Sequence, residues 1–120
     1  MITLTLCLLM QQPAPQIVNE INVIRKSYNL PPYIPDQRLN QVAISWSQTM
    51  ANRRRMGHER LMQRISQAYR NRAAGEIVAS GPEPIKGWMN SQPHRAIILG
   101  NYKLIGAGVT NNYWSVDVIR

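Results

Sequence analysis

Ile17, Val18, Ile21, Ile24 and Tyr28 return at intervals of three and four, which predicts an amphipathic helix over residues 16–28 with Glu20 and Arg25 on its outer face. Pro31, Pro32 and Pro35 end it and force an extended connector, from which Leu30, Tyr33 and Ile34 can still plug the core. Asp36 has the chemistry of an N-cap. The helix it opens is the longest, because Leu39, Val42, Ala43, Trp46 and Met50 hold one face until Gly57 provides a stop. Over residues 59–73, Leu61, Ile65 and Tyr69 keep a four-residue spacing among arginines, so a short, mostly exposed helix is expected there.

Beyond Ala73 the period changes. Residues 75–81 form an apolar run bounded by glycines, the signature of a short strand. Pro82-Glu83-Pro84 starts a helix over residues 85–90 in which Trp88 and Met89 face the core. Ser91 is placed as the N-cap of another helix, with Pro93 in its first turn and Ala96, Ile97, Ile98 and Leu99 turned inward. Residues 104–109 and 113–119 alternate around Thr110-Asn111-Asn112 and read as an antiparallel hairpin. Gly106 and Gly108 lie on one face of its first strand, where a helix or a ligand could approach closely. Helices around such a sheet define the α+β class, here a three-layer α-β-α sandwich with a small antiparallel sheet flanked by helices.

Length changes this picture little: 120 residues make one domain, able to bury about two thirds of its unfolded surface. Cys7 is the only cysteine, which excludes an intrachain disulfide. Residues 1–10 are apolar but too short to span a bilayer, which takes about 20 residues. Their size suits the centre of an export signal, although no basic leader or small-residue cleavage site accompanies them. Residues 1–15 are therefore expected to be a degenerate signal-like leader and residues 16–120 the domain. A loosely packed N-terminus is the alternative, and Leu6 is too large for a lipid-attachment site at Cys7.

Charge matters more. The formal net charge is +8, and Arg53, Arg54, Arg55, Arg60, Arg64, Arg70 and Arg72 crowd a stretch whose one acid is Glu59. Such a field attracts polyanions, whether nucleic acid, teichoic acid or anionic lipid headgroups. No nucleic-acid module or basic-aromatic alternation accompanies it. Arg53, Arg54, Arg55, Arg60 and Arg64 are the candidate polyanion-binding residues. A solvated basic face is the plainer reading, and three arginines in the last turn of a helix also suit its negative pole.

The chain holds two histidines and six acids, so acid–base or metal chemistry has few sources. His94 falls in a first helical turn, beside unpaired N–H groups that disfavour the imidazolium and keep a neutral ring available as base or ligand. Its plain alternative is an exposed first-turn residue. His58 follows Gly57 just past the long helix, where a C-cap and a polar loop residue would look the same.

Trp88-Met89-Asn90-Ser91-Gln92-Pro93-His94-Arg95, followed by Ile105-Gly106-Ala107-Gly108-Val109, resembles the W-x-x-S-x-x-H-R…(I/V)-G-x-G signature of bacterial-type CAP (SCP-like) domains. Gly57-His58 is similar to the histidine that follows the family's long helix, and Ala74-Gly75-Glu76-Ile77 to its A-G-E-N-I. The first helix, with Asn19-Glu20-Ile21-Asn22 and Arg25, resembles the opening N-x-x-R helix, and Leu30 to Leu39 the connector after it. The resemblance covers residues 16–120 and implies a bacterial or phage type without disulfides, exported or attached to the cell envelope.

In that family the positions of His58, Glu76 and His94 share a cleft. The resemblance therefore implies one of two chemistries for them. In the first, His58 and His94 are ligands for zinc or another divalent ion, with room left for water. In the second, a histidine acts as general base while Glu76 holds its tautomer, as in a peptidase-like hydrolase. Two departures count against catalysis. Ser91 stands where animal and plant members have a second glutamate, and Ile77 replaces the asparagine beside Glu76. Ser91 as a nucleophile is a further option, but its cap role accounts for it more simply. The leading expectation is an exported protein that binds a small molecule, lipid or envelope component in the cleft. A metal-assisted or histidine-dependent hydrolase and a basic polyanion-binding module are the alternatives.

Overall fold

In the computed structural model, residues 11–120 are described; the apolar run 1–10, and Cys7 with it, lies outside them. Helix α1 (Pro15–Ser27) starts on a proline and buries Ile17, Val18 and Ile21. After the two-residue strand β2 (Ile34–Pro35), Asp36 accepts the Leu39 N–H at 3.0 Å and caps α2 (Gln37–Arg53). Single-turn α3 (Leu61–Ile65) precedes strand β3 (Ala74–Ser80), and α4 (Pro84–Met89) and α5 (Gln92–Ile98) follow. Strands β4 (Leu104–Thr110) and β5 (Tyr113–Ile119) close the chain as a hairpin. Asn111 and Asn112 both take positive φ in its two-residue turn, the backbone such a tight connection requires.

With β1 (Gln11–Pro13) at one edge, the sheet runs β1-β4-β5-β3 with all neighbours antiparallel, and β2 adds a short parallel pairing to the start of β4. Strand β1 pairs with residues 108–110, so this segment, grouped with the leader from sequence, lies in the sheet. Pro13 is tolerated because β1 is an edge. Side chains alternate across the sheet. Ile77, Ile105, Ala107, Val116 and Val118 pack against Ile17, Val18, Ile21, Trp88 and Ile98 of α1, α4 and α5. On the opposite face Ile119 joins Leu39, Val42 and Ile65 under α2. This is the expected α-β-α sandwich. Helix α2 lies so close that a Cβ on Gly108 would fall 2.5 Å from the Ile44 Cα, and one on Gly106 would strike the Leu39 backbone. The two glycines therefore admit a helix rather than a ligand.

Several local expectations are corrected. Arg25 points inward: only 2% exposed, it donates to the carbonyls of Pro31 (2.8 Å), Ile98 (2.9 Å) and Gly100 (2.9 Å). Its guanidinium stacks 3.7 Å from the centroid of the Tyr33 ring. A buried cation satisfied by carbonyls and a π face replaces an apolar side chain on the helix stripe. Tyr28 and Ile34, expected inside, are half-exposed, and Ala96 is exposed. The long helix stops at Arg54, not Gly57: Arg54 takes φ 52° and its N–H returns to the Ala51 carbonyl. The helical spacing over residues 59–73 yields only the turn Leu61–Ile65.

Candidate functional site

The end of α2 builds the site. Arg54 and Arg60, both at positive φ, bracket a loop that doubles back along the helix. The Trp46 indole N–H donates to the Gly57 carbonyl at 2.9 Å and anchors that loop, while Arg53 forms an ion pair with Glu59. Hydrogen bonding to Arg53 brings the exposed Glu59 carboxyl down to about 2. His58 is thereby carried over β3, where its Nδ1 lies 2.9 Å from Glu76 Oε1. The histidine side chain is 49% exposed and the glutamate side chain fully buried.

Arg64 completes this pair from α3. Its guanidinium forks onto Glu76, with Nη1 to Oε2 at 2.7 Å and Nη2 to Oε1 at 2.9 Å. Its other face stacks 3.8 Å from the Trp46 ring centroid, and Nε donates to the Glu59 carbonyl at 3.0 Å. Burial would raise the Glu76 carboxyl, but the neighbouring Asp117, the hydrogen bonds and charge of Arg64 and the His58 contact together hold it below the ordinary carboxylate range. An ionised Glu76 only accepts, so His58 Nδ1 carries the proton and its Nε2 is turned away from the carboxylate.

Of the three residues that the family resemblance assigns to one cleft, His58 and Glu76 are hydrogen-bonded to each other. His94 in the first turn of α5 has its Nδ1 2.7 Å from Ser91 Oγ and makes no hydrogen bond to His58 or Glu76. Ser91 does occupy the N-cap position, yet its side chain makes no cap hydrogen bond and is engaged with His94 instead. Glu76 is not free to serve as a metal ligand. Both Glu76 oxygens are held by a guanidinium, which occupies the place a cation would need, and no group of three His, Cys, Asp or Glu suited to a metal exists among the described residues.

Of the basic residues proposed from sequence, Arg53 and Arg64 are tied to Glu59 and Glu76, and Arg55 reaches Glu59 at 3.8 Å. Arg54 and Arg60 are exposed and make no ion pair among the described residues. Two contributors escaped sequence reasoning. Arg64 reads from sequence as part of the basic face, because nothing in its spacing points to a carboxylate twelve residues on. Asp117 sits beneath Glu76, fully buried, as its cross-strand partner in β5. Its one sequence signal is an acid in phase with Ser115 in a strand otherwise apolar on both faces.

Residues 18–117 match the model of the family described as CAP, the cysteine-rich secretory protein family. The chain is 30% identical over 116 residues to the uncharacterized membrane protein YlbC of Bacillus subtilis, covering 88% of this chain and 34% of that one. It superposes with a TM-score of 0.81 on an extracellular SCP-domain protein of Bacillus anthracis, at 28% identity, covering 88% of this chain and 39% of that one. An outer surface protein of Borrelia burgdorferi shares the fold at a TM-score of 0.80 and 24% identity, covering 92% of this chain and 98% of that one. The chain thus spans about a third of YlbC and about two fifths of the Bacillus anthracis chain. With a family match across most of its length, the signature residues in place and the same sandwich, this chain belongs to the CAP (SCP-like) family.

Proposed function

We propose that this CAP domain works outside the cytoplasm or at the cell envelope as a binding module, recognising its ligand through the outward edge of His58. One observation carries this reading: a half-exposed imidazole is fixed by a buried Glu76–Arg64 pair, and no hydroxyl or thiol among the described residues is hydrogen-bonded to it. A fixed Nε2 acceptor suits recognition of a ligand hydroxyl or amide N–H. A histidine that activates a nucleophile needs that nucleophile within hydrogen-bond reach, and here the serine is paired with the other histidine. Hydrolysis would have to use water activated at His58 Nε2, which makes it the secondary reading. The apolar leader and the extracellular relatives support export.

Isotope-labelled protein titrated in turn with peptidoglycan fragments, teichoic acid and phosphatidylglycerol vesicles tests the proposal. Movement of the His58 ring resonances with one probe, abolished in His58→Ala, supports it. Binding that survives His58→Ala but is lost in Arg54→Glu/Arg60→Glu and in high salt transfers the function to the basic face. Cleavage of the probe that requires His58 supports the hydrolytic reading instead.

A further inference from the structure

Strand register puts Asp117 directly opposite Glu76. The Gly81 N–H donates to the Asn112 carbonyl and the Arg120 N–H to the Ala73 carbonyl, so the hydrogen-bonded pairs of the β3–β5 ladder fall on odd residues of β3. Glu76 and Asp117 therefore form a pair without backbone hydrogen bonds, the arrangement in which facing side chains come closest, about 4.5 Å between Cα atoms. Both carboxyls lie on the α2 side of the sheet, where the glycine opposite Asp117 on its other flank, Gly106, brings only backbone.

Two carboxyls thus share a buried site with a single guanidinium, Arg64, and the proton of His58 Nδ1 already goes to Glu76. Ser115 Oγ reaches Glu76 Oε2 at 3.5 Å, and neither Asp117 oxygen has a hydrogen-bond partner among the described residues. Two carboxylates cannot bond each other, because both are acceptors only. One proton on Asp117 turns that repulsive contact into an O–H···O bond and satisfies the buried acid.

We infer that Asp117 is a protonated acid at neutral pH that donates to Glu76, and that it is a positioning residue keeping the carboxylate turned toward His58 and Arg64. Burial first, then the neighbouring Glu76 bond and charge, push the Asp117 carboxyl well up, against a smaller opposing effect of Arg64. The groups that face it are Glu76 and Arg64, with His58 beyond Glu76. The inference concerns the site of the proposed function, but its test reads the carboxyl and imidazole directly and so stands or falls whether or not any ligand binds.

Carbon-13 spectra of the side-chain carboxyls of the full chain decide it. At neutral pH the Asp117 carboxyl carbon should keep the chemical shift of a protonated acid while Glu76 shows that of a carboxylate. An ionised Asp117 under the same conditions overturns the inference. Asp117→Asn, which keeps a donor facing Glu76, should retain the wild-type His58 ring nitrogen shifts; Asp117→Ala, which removes it, should move them toward those of an unconstrained imidazole. Loss of the His58 signature in Asp117→Asn as large as in Asp117→Ala would also overturn it. Should Asp117→Ala fail to fold, the wild-type carboxyl shifts and Asp117→Asn decide the matter.

Discussion

Arg64 grips both oxygens of Glu76, at 2.7 and 2.9 Å, from a helix of a single turn. Its side chain is 14% exposed and that of Glu76 fully buried, so the ion pair is largely removed from water. The pair fixes the carboxylate to which His58 is bonded, and it gives the short α3 a reason to sit where it does. Trp46 ties the same assembly together, stacking on Arg64 and anchoring the His58 loop through Gly57.

Replacing Arg64 by methionine should therefore cost about 3 kcal/mol, because it strands a buried charge. Arg64→Lys should recover only part of that loss, since an ammonium cannot fork onto two oxygens. Urea unfolding of the three proteins checks this. A loss near zero for the methionine variant would mean that the fork contributes little.

A second buried arginine makes a separate prediction. Arg25→Met leaves the carbonyls of Pro31 and Ile98 without their donor, leaves Gly100 only the Tyr33 hydroxyl at 3.0 Å, and removes the stack on Tyr33. Unsatisfied buried acceptors cost roughly 1–3 kcal/mol each, so thermal or urea unfolding should show a loss of at least about 2 kcal/mol. A neutral substitution would show that the carbonyls find other partners.

These two arginines also mark what the sequence concealed. The helical stripe of Ile17, Val18, Ile21 and Ile24 and the alternation in residues 113–119 were legible because burial of one face dictates a period. Gly106 and Gly108 were legible as a close approach, although not as which partner approached. Arg25 lies four residues after Ile21 on the same stripe, yet its charge argued for the outer face. What brings it inside is three carbonyls and a tyrosine from segments that only the tertiary fold assembles. Arg54 ends α2 in a conformation that side chains usually avoid, a choice no propensity favours over Gly57. The His58–Glu76 contact followed from family resemblance, whereas Arg64 and Asp117 needed the strand register and the position of α3.

The pH dependence should have limbs of opposite sign. Glu76 has its folded-state pKa lowered, so its contribution is present above the unfolded carboxyl range and is lost as pH falls through the folded value. Tyr33 behaves the other way. Burial, opposed by Arg25, raises its phenol from 10.0 to about 12, so its contribution is complete below the unfolded value and is lost as pH rises through about 12. Stability measured against pH should decline on both sides, and Tyr33→Phe should remove the phenolic part of the alkaline decline. An unchanged alkaline decline in that variant would mean that Tyr33 is not its source.

His58 is held by Glu76 with its Nδ1–H inward and its Nε2 directed away from the carboxylate. A long-range proton–nitrogen spectrum of the neutral protein reads this tautomer directly. The expected result is one tautomer, protonated at Nδ1, which shifts toward the free-histidine mixture in Glu76→Gln. A ring protonated at Nε2, or a tautomer mixture in the wild-type protein matching free histidine, would contradict it.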